Sequence, residues 1–278
     1  MIYSIYSLSF DLFAYSNYGA YSKMGKINVI TGRGGTGKST FTTLFARYIH
    51  AKSLLLIDLD PDGSLVKMLG VDLEKEAKVT ISDALSRIIA RGKESRGKDD
   101  TPDLLRRMME DGEIIYRDKK FDLITLGTKF APGCYCLPDE MIKETLRNIH
   151  KNYEVILVDS PAGLEHLNRK VTPDIDDLFV VLDPSEKSAK HIERIKYVTK
   201  GVNITYKNFF LVGNYRFTDE IEAYLLHTNE TYLGRIANDP YIREFNLKGE
   251  SLFKIPDDSP SSMSVKKILR EAGYGIVS

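Results

Sequence analysis

Residues 32–39 read Gly-Arg-Gly-Gly-Thr-Gly-Lys-Ser and fit G-x-x-x-x-G-K-[ST]. An apolar run, Ile27 to Thr31, precedes them, and Phe41, Leu44, Phe45, Tyr48 and Ile49 follow at helical spacing. A glycine-rich turn that closes a strand and opens a helix points to an α/β fold with a phosphate-binding loop. Glycines let successive backbone N–H groups turn inward around phosphate oxygens, and the helix amino end adds positive dipole. In this reading Gly32, Arg33, Gly34, Gly35, Thr36 and Gly37 form the cradle. Lys38 reaches the β- and γ-phosphates, the Ser39 hydroxyl ligates Mg²⁺, and Thr40 adds a phosphate contact. The competing reading is a glycine-rich turn that matches by chance, and the strand before and helix after weigh against it.

Further short apolar runs follow: Leu54 to Ile57, Phe121 to Leu126, Val155 to Val158, Leu178 to Leu182 and Phe209 to Val212. Each has the length of a buried strand, and helical-period segments separate them. A second stripe, Met141, Ile142, Thr145, Leu146 and Ile149, has helical spacing. The pattern predicts a single-domain α/β P-loop NTPase fold, with a mostly parallel central sheet and helices on both faces. Residues 92–120 are rich in charge and broken by Gly92, Gly97 and Pro102, so they read as a loop and a solvated helix.

No repeat or linker divides the chain, and residues 24–278 read as one domain. Residues 1–23 read as an extension ahead of it. The first 22 residues hold five Tyr and five Ser with Asp11 as their one charge, unlike a secretory signal. Met24 is the expected natural start. The 39 basic residues balance 39 acidic ones, which gives no general attraction to nucleic acid or anionic lipid. No run approaches the roughly 18 apolar residues of a membrane span. The tail from Val265 to Ala272, with Lys266, Lys267 and Arg270 beside Ile268 and Leu269, is a poor membrane anchor. Neither nucleic acid nor membrane is expected as a partner. Two cysteines in 278 residues suit a reducing cytoplasm.

Two strand ends carry acids. Val155 to Val158 leads into Asp159, placed to hold Mg²⁺ through water, and Ser160-Pro161-Ala162-Gly163 follows as a γ-phosphate-sensing loop. Leu54 to Ile57 leads into Asp58-Leu59-Asp60-Pro61-Asp62, at a strand's carboxyl end, where open α/β sheets bind ligands. Asp60 is the candidate to orient the attacking water and Asp58 lies near the metal; an acidic turn that merely caps a helix is the alternative.

Cys134-Tyr135-Cys136 gives a C-x-C pair. Two thiolates are a soft half-site, and four from two chains about a two-fold axis would complete a tetrahedral ion, zinc included. Two buried small hydrophobes are the alternative.

The loop Arg33-Gly34-Gly35-Thr36-Gly37-Lys38-Ser39, with the Asp58-Leu59-Asp60-Pro61 and Asp159-Ser160-Pro161-Ala162-Gly163 segments, resembles the MinD/ParA class of deviant Walker A ATPases. The resemblance implies ATP and ADP as ligands, a dimer that sandwiches two nucleotides, and for Arg33 the role of a signature lysine that reaches the partner's phosphates. Arginine keeps that charge in a planar, longer side chain. Gly213-Asn214 resembles the adenine-binding asparagine of the class, although Tyr215 here precedes Arg216.

Adding Cys134, Cys136 and Ala162-Gly163-Leu164-Glu165-His166-Leu167, the chain is similar to CooC-type carbon monoxide dehydrogenase maturation ATPases from Met24 almost to its end. This implies ATP-driven nickel insertion into carbon monoxide dehydrogenase or a related nickel enzyme. It also implies a homodimer in which Cys134 and Cys136 bind Ni²⁺ or Zn²⁺, with His166 as a further candidate. A ParA- or MinD-like positioning ATPase and an iron-sulfur carrier are the alternatives; the carriers use C-x-x-C or widely separated cysteines, which this chain lacks.

Overall fold

The computed structural model describes residues 25–94, 104, 107–109, 111–128, 143, 150–164, 174–226 and 229–277. The chain runs through β1 (Lys26–Gly32), α1 (Lys38–Tyr48), β2 (Leu54–Asp58), α2 (Ser64–Leu69) and α3 (Ile81–Glu94). Next come β3 (Tyr116–Arg117), β4 (Asp122–Thr125), β5 (Val155–Asp159) and β6 (Asp174–Leu182). It then continues with α4 (Glu186–Gly201), β7 (Thr205–Gly213), α5 (Asp219–Leu226), β8 (Thr231–Arg235), α6 (Pro240–Lys248) and α7 (Pro260–Glu271).

The strands form one sheet in the order β3-β4-β2-β5-β1-β6-β7-β8, parallel throughout except for the β3–β4 pair. Strands without a polar face need cover on both sides, and the cores show how it is supplied. Leu54, Leu56 and Leu157 pack with α1, α2 and α7 through Phe41, Phe45, Leu65 and Ile268. Leu55, Ile57 and Val158 point the other way, onto Ile81 and Leu85 of α3 and Ile195 of α4. The alternation of neighbours along each strand puts both layers on a single sheet.

Sequence and structure differ in three places, and agree that the tail is no anchor. The runs seen at Leu178 and Phe209 extend back to Asp174 and Thr205. Asp177 is fully buried within β6, satisfied by Lys26, Asn208 and Tyr274. The solvated reading of residues 92–120 fails at its end, where Ile114 and Ile115 enter the core and Tyr116–Arg117 forms the antiparallel edge. The edge strand β8 carries no continuous apolar run. The tail is core: Val265, Ile268 and Leu269 of α7 are buried. Among the described residues no helix is long and apolar enough to cross a membrane. Residues 1–23, Cys134, Cys136, His166 and the stripe Met141, Ile142, Thr145, Leu146 and Ile149 lie outside the described residues.

Candidate functional site

The loop from Gly32 to Gly37 leaves β1 at the centre of the sheet. Gly32 has φ +149°, and a Cβ there would lie 2.4 Å from the Val181 carbonyl oxygen of neighbouring β6, so only glycine fits. Gly37 takes the left-handed conformation, φ 97°, at the amino cap of α1. Between them the Arg33 carbonyl accepts from Thr36 Oγ1 at 2.9 Å and from Lys38 Nζ at 3.2 Å. Lys38 is buried, which pushes its ammonium pKa down, while the charges of Asp159 and Asp60 oppose that fall.

Asp159 ends β5 beside β1 and β2. Ser39 Oγ donates to its Oδ2 at 2.6 Å, and Thr42 Oγ1, one turn along α1, donates to its Oδ1 at 3.0 Å. Burial raises the Asp159 pKa to about 6 against these hydrogen bonds and the Lys38 charge. Asp58, its register partner on β2, is also fully buried. Burial and then the Asp159 charge raise its pKa strongly, although the Asp60 and Val66 amides donate to it at 3.0 and 3.3 Å. Asp58 therefore pins the turn into α2 as well as bordering the site. Hydroxyl and carboxylate oxygens gathered here, with two adjacent buried acids short of positive charge, suit a hard divalent cation such as Mg²⁺.

The three acids at the end of β2 and in the turn beyond it separate. Asp58 is buried, Asp60 is half-buried and close enough for its charge to act on Lys38, and Asp62 is exposed. Asp62 donates its amide to Asp60 Oδ1 at 3.1 Å. Thr40 rests its hydroxyl on the Met68 sulfur at 3.6 Å rather than presenting it free. Ser160 donates both its amide and hydroxyl to the Ile30 carbonyl, which fixes the loop after β5 to β1.

Asn214, at the end of β7, is buried. Its Oδ1 accepts the Arg216 amide at 3.0 Å, while its Nδ2 has no partner among the described residues. Asp239 ties two helices: it caps α6 through the Tyr241 amide and accepts from Ser261 of α7.

Thr42, Asp183, Ser185 and His191 join the site without having been singled out in the sequence. Thr42 stands four residues after Lys38 on the same helix and was within reach of a spacing argument. Arg33 Nη1 lies 3.3 Å from Ser185 Oγ and 3.6 Å from Asp183 Oδ2. These residues meet only through the pairing of β1 with β6.

A family model described as an AAA domain matches residues 24–211. An uncharacterized ATP-binding protein of Methanocaldococcus jannaschii is 30% identical over 247 residues, covering 87% of this chain and 96% of the relative. The carbon monoxide dehydrogenase accessory protein CooC of Rhodospirillum rubrum is 25% identical over 238 residues, covering 81% of this chain and 89% of the relative. Among solved structures, the septum site-determining protein MinD complexed with Mg-ADP from Pyrococcus horikoshii superposes with a TM-score of 0.62 at 22% identity, covering 90% of this chain and 96% of that one. An ATP complex of a Cyanothece McdA variant gives 0.63 at 15% identity, covering 92% and 99%. At these identities the two structures speak for the fold.

Proposed function

The chain belongs to the AAA domain family and is a P-loop ATPase, and from that premise we propose that it is a nucleotide-switched dimer that assists metal insertion into a nickel enzyme in the cytoplasm. The observation that carries the nucleotide chemistry is the contact of Ser39 with Asp159 beside Asp58, at the foot of the glycine loop. Amides of residues 34–39 and the Lys38 ammonium neutralise the phosphate oxygens of ATP. Ser39 would hold Mg²⁺, with Asp159 and Asp58 beside it, and the cation would supply positive charge to the phosphates. Asp60, half-buried beside Lys38, orients the attacking water. Asn214 offers its unpartnered Nδ2 to the base, with Oδ1, which already accepts the Arg216 amide, as the acceptor that would complete the reading of adenine.

Arg33 serves the partner's nucleotide, so that ATP binding and dimerisation are linked. Cys134 and Cys136 from each protomer supply four thiolates for a nickel or zinc ion. Likeness to CooC over most of the chain supports the maturation role. The burial of α7 in the core favours it over a membrane-positioning ATPase, which would need that helix free.

Metal bound per protomer, measured by elemental analysis on protein purified without oxygen and offered Ni²⁺, tests the reading. About one ion per two protomers, lost in the Cys134→Ser/Cys136→Ser double variant, is expected for a shared four-thiolate site. Metal that is independent of the cysteines, or accompanied by iron and sulfide, refutes it.

A further inference from the structure

We propose that Asp183 is a positioning residue for Arg33: with Ser185 it holds the guanidinium in cis at the amino end of α4, and so sets how readily that side chain reaches a second protomer. The hold stands on contacts within this chain, while its consequence for the second protomer rests on the dimer reading above.

The holder is rigid. Ser185 caps α4 by accepting the Ser188 amide, and the hydroxyls of Ser185 and Ser188 both donate to Asp183 Oδ1. The Asp183 amide donates back to Ser188 Oγ at 3.3 Å. Burial pushes the Asp183 pKa up, but these hydroxyls, Arg33 and Arg216 outweigh it and keep the carboxylate charged. The charge of Arg216 also acts on the carboxylate, so Arg33 is not its sole cationic influence.

The held residue is divided in two. Its backbone is fixed, because the Arg33 carbonyl accepts from Thr36 and Lys38, and only the side chain is able to swing. Its contacts with Asp183 and Ser185 are long, and the Arg33 side chain is 35% exposed. A partly exposed ion pair of this kind is weak and reversible. His191, buried further along α4 with Nε2 unpartnered among the described residues, offers no competing anion; burial and the charges of Arg33, Arg194 and Lys38 favour its neutral form.

Releasing one such contact shifts the free arginine population about two- to fivefold. Two release per dimer, so the dimer dissociation constant shifts by the square, roughly four- to twenty-five-fold.

Asp183→Asn keeps the shape of the holder and removes its charge. In the nucleotide-free, full-length protein, phenylglyoxal modification of Arg33, followed by peptide mass spectrometry, should run about two- to fivefold faster in the variant. Arg47, bound to Asp257, is the internal standard. Should the variant not fold, salt reads the same contact in the wild type: Arg33 reactivity should rise between about 0.05 and 0.5 M KCl. An Arg33 rate indifferent to both overturns the hold. With Mg²⁺ and a non-hydrolysable ATP analogue, Asp183→Asn should dimerise at lower concentration, and the gain should vanish in an Arg33→Ala background. Faster Arg33 modification with an unchanged dimerisation curve overturns the coupling and, with it, the assignment of Arg33 to the partner's nucleotide.

Discussion

Ser39 Oγ donates to Asp159 Oδ2 at 2.6 Å across 120 residues of sequence, joining the first turn of α1 to the end of β5. The bond aims the hydroxyl and the carboxylate at one place. Asp159→Asn keeps the shape and removes the charge behind the cation, so Mg²⁺-dependent nucleotide affinity should fall about 10- to 100-fold. Calorimetric titration of ADP with and without Mg²⁺ checks this; equal losses in both conditions would move Asp159 out of the metal's surroundings.

The same carboxylate should make the nucleotide-free protein sensitive to pH. Its pKa is raised to about 6 from the ordinary value of 3.8, so the folded state keeps a proton that the unfolded state has lost. Stability from this group is therefore full below about pH 4 and declines as pH rises toward 6. Asp159→Asn should gain about 1–3 kcal/mol over wild type at pH 7.5 and little at pH 4.5. Denaturant melts at the two pH values measure the difference, and a gain that does not grow with pH contradicts the assignment.

At Gly32 the added Cβ would meet the Val181 carbonyl oxygen at 2.4 Å, in a conformation that side chains avoid. Gly32→Ala should cost about 2–4 kcal/mol and displace the loop. Urea unfolding together with ADP binding reads both effects, and a variant of wild-type stability would mean that β1 and β6 part more easily than their register suggests.

Asn214→Ala removes an amide whose Nδ2 has no partner among the described residues. Loss of a base contact should weaken ATP about 3- to 10-fold with little effect on inorganic phosphate competition. Competition between ATP and GTP is the measurement; unchanged selectivity removes Asn214 from the base site.

Leu269 is fully buried in α7. Leu269→Ala should cost about 2–5 kcal/mol, as a core truncation does. A variant that melts with the wild type but loses vesicle binding would instead make the tail an anchor.

Much of this molecule is legible in its residues because its central strands are unbroken apolar runs and its phosphate loop is contiguous. What sequence hides has identifiable causes. The first half of β6 carries Asp174, Asp176 and Asp177, so it does not look like a buried strand. Only the fold shows that Lys26 neutralises Asp177 and that Asn208 and Tyr274 donate hydrogen bonds to it. β8 has Leu233 as its one buried side chain and Gly234 at φ 120°, the profile of an edge. The Arg33–Asp183 contact joins residues far apart in the chain, and no local spacing encodes it. The acidic turn gives Asp58 and Asp60 different roles, but its spacing does not reveal that Asp58 is sealed at the strand end while Asp60 stays half-open near Lys38.

The seating of Tyr274 on Asp177 and Asn28 bears on how the protein is made. Asp177 is wholly buried in the middle of the sheet, and its aromatic partner arrives a further 97 residues along the chain. A chain that has not yet reached residue 274 lacks this donor, and Asp177 is then left with Lys26 and Asn208 alone. Sealing of this end of the sheet therefore depends on the last segment of the fold, since a chain halted after α6 lacks both Tyr274 and the apolar face of α7.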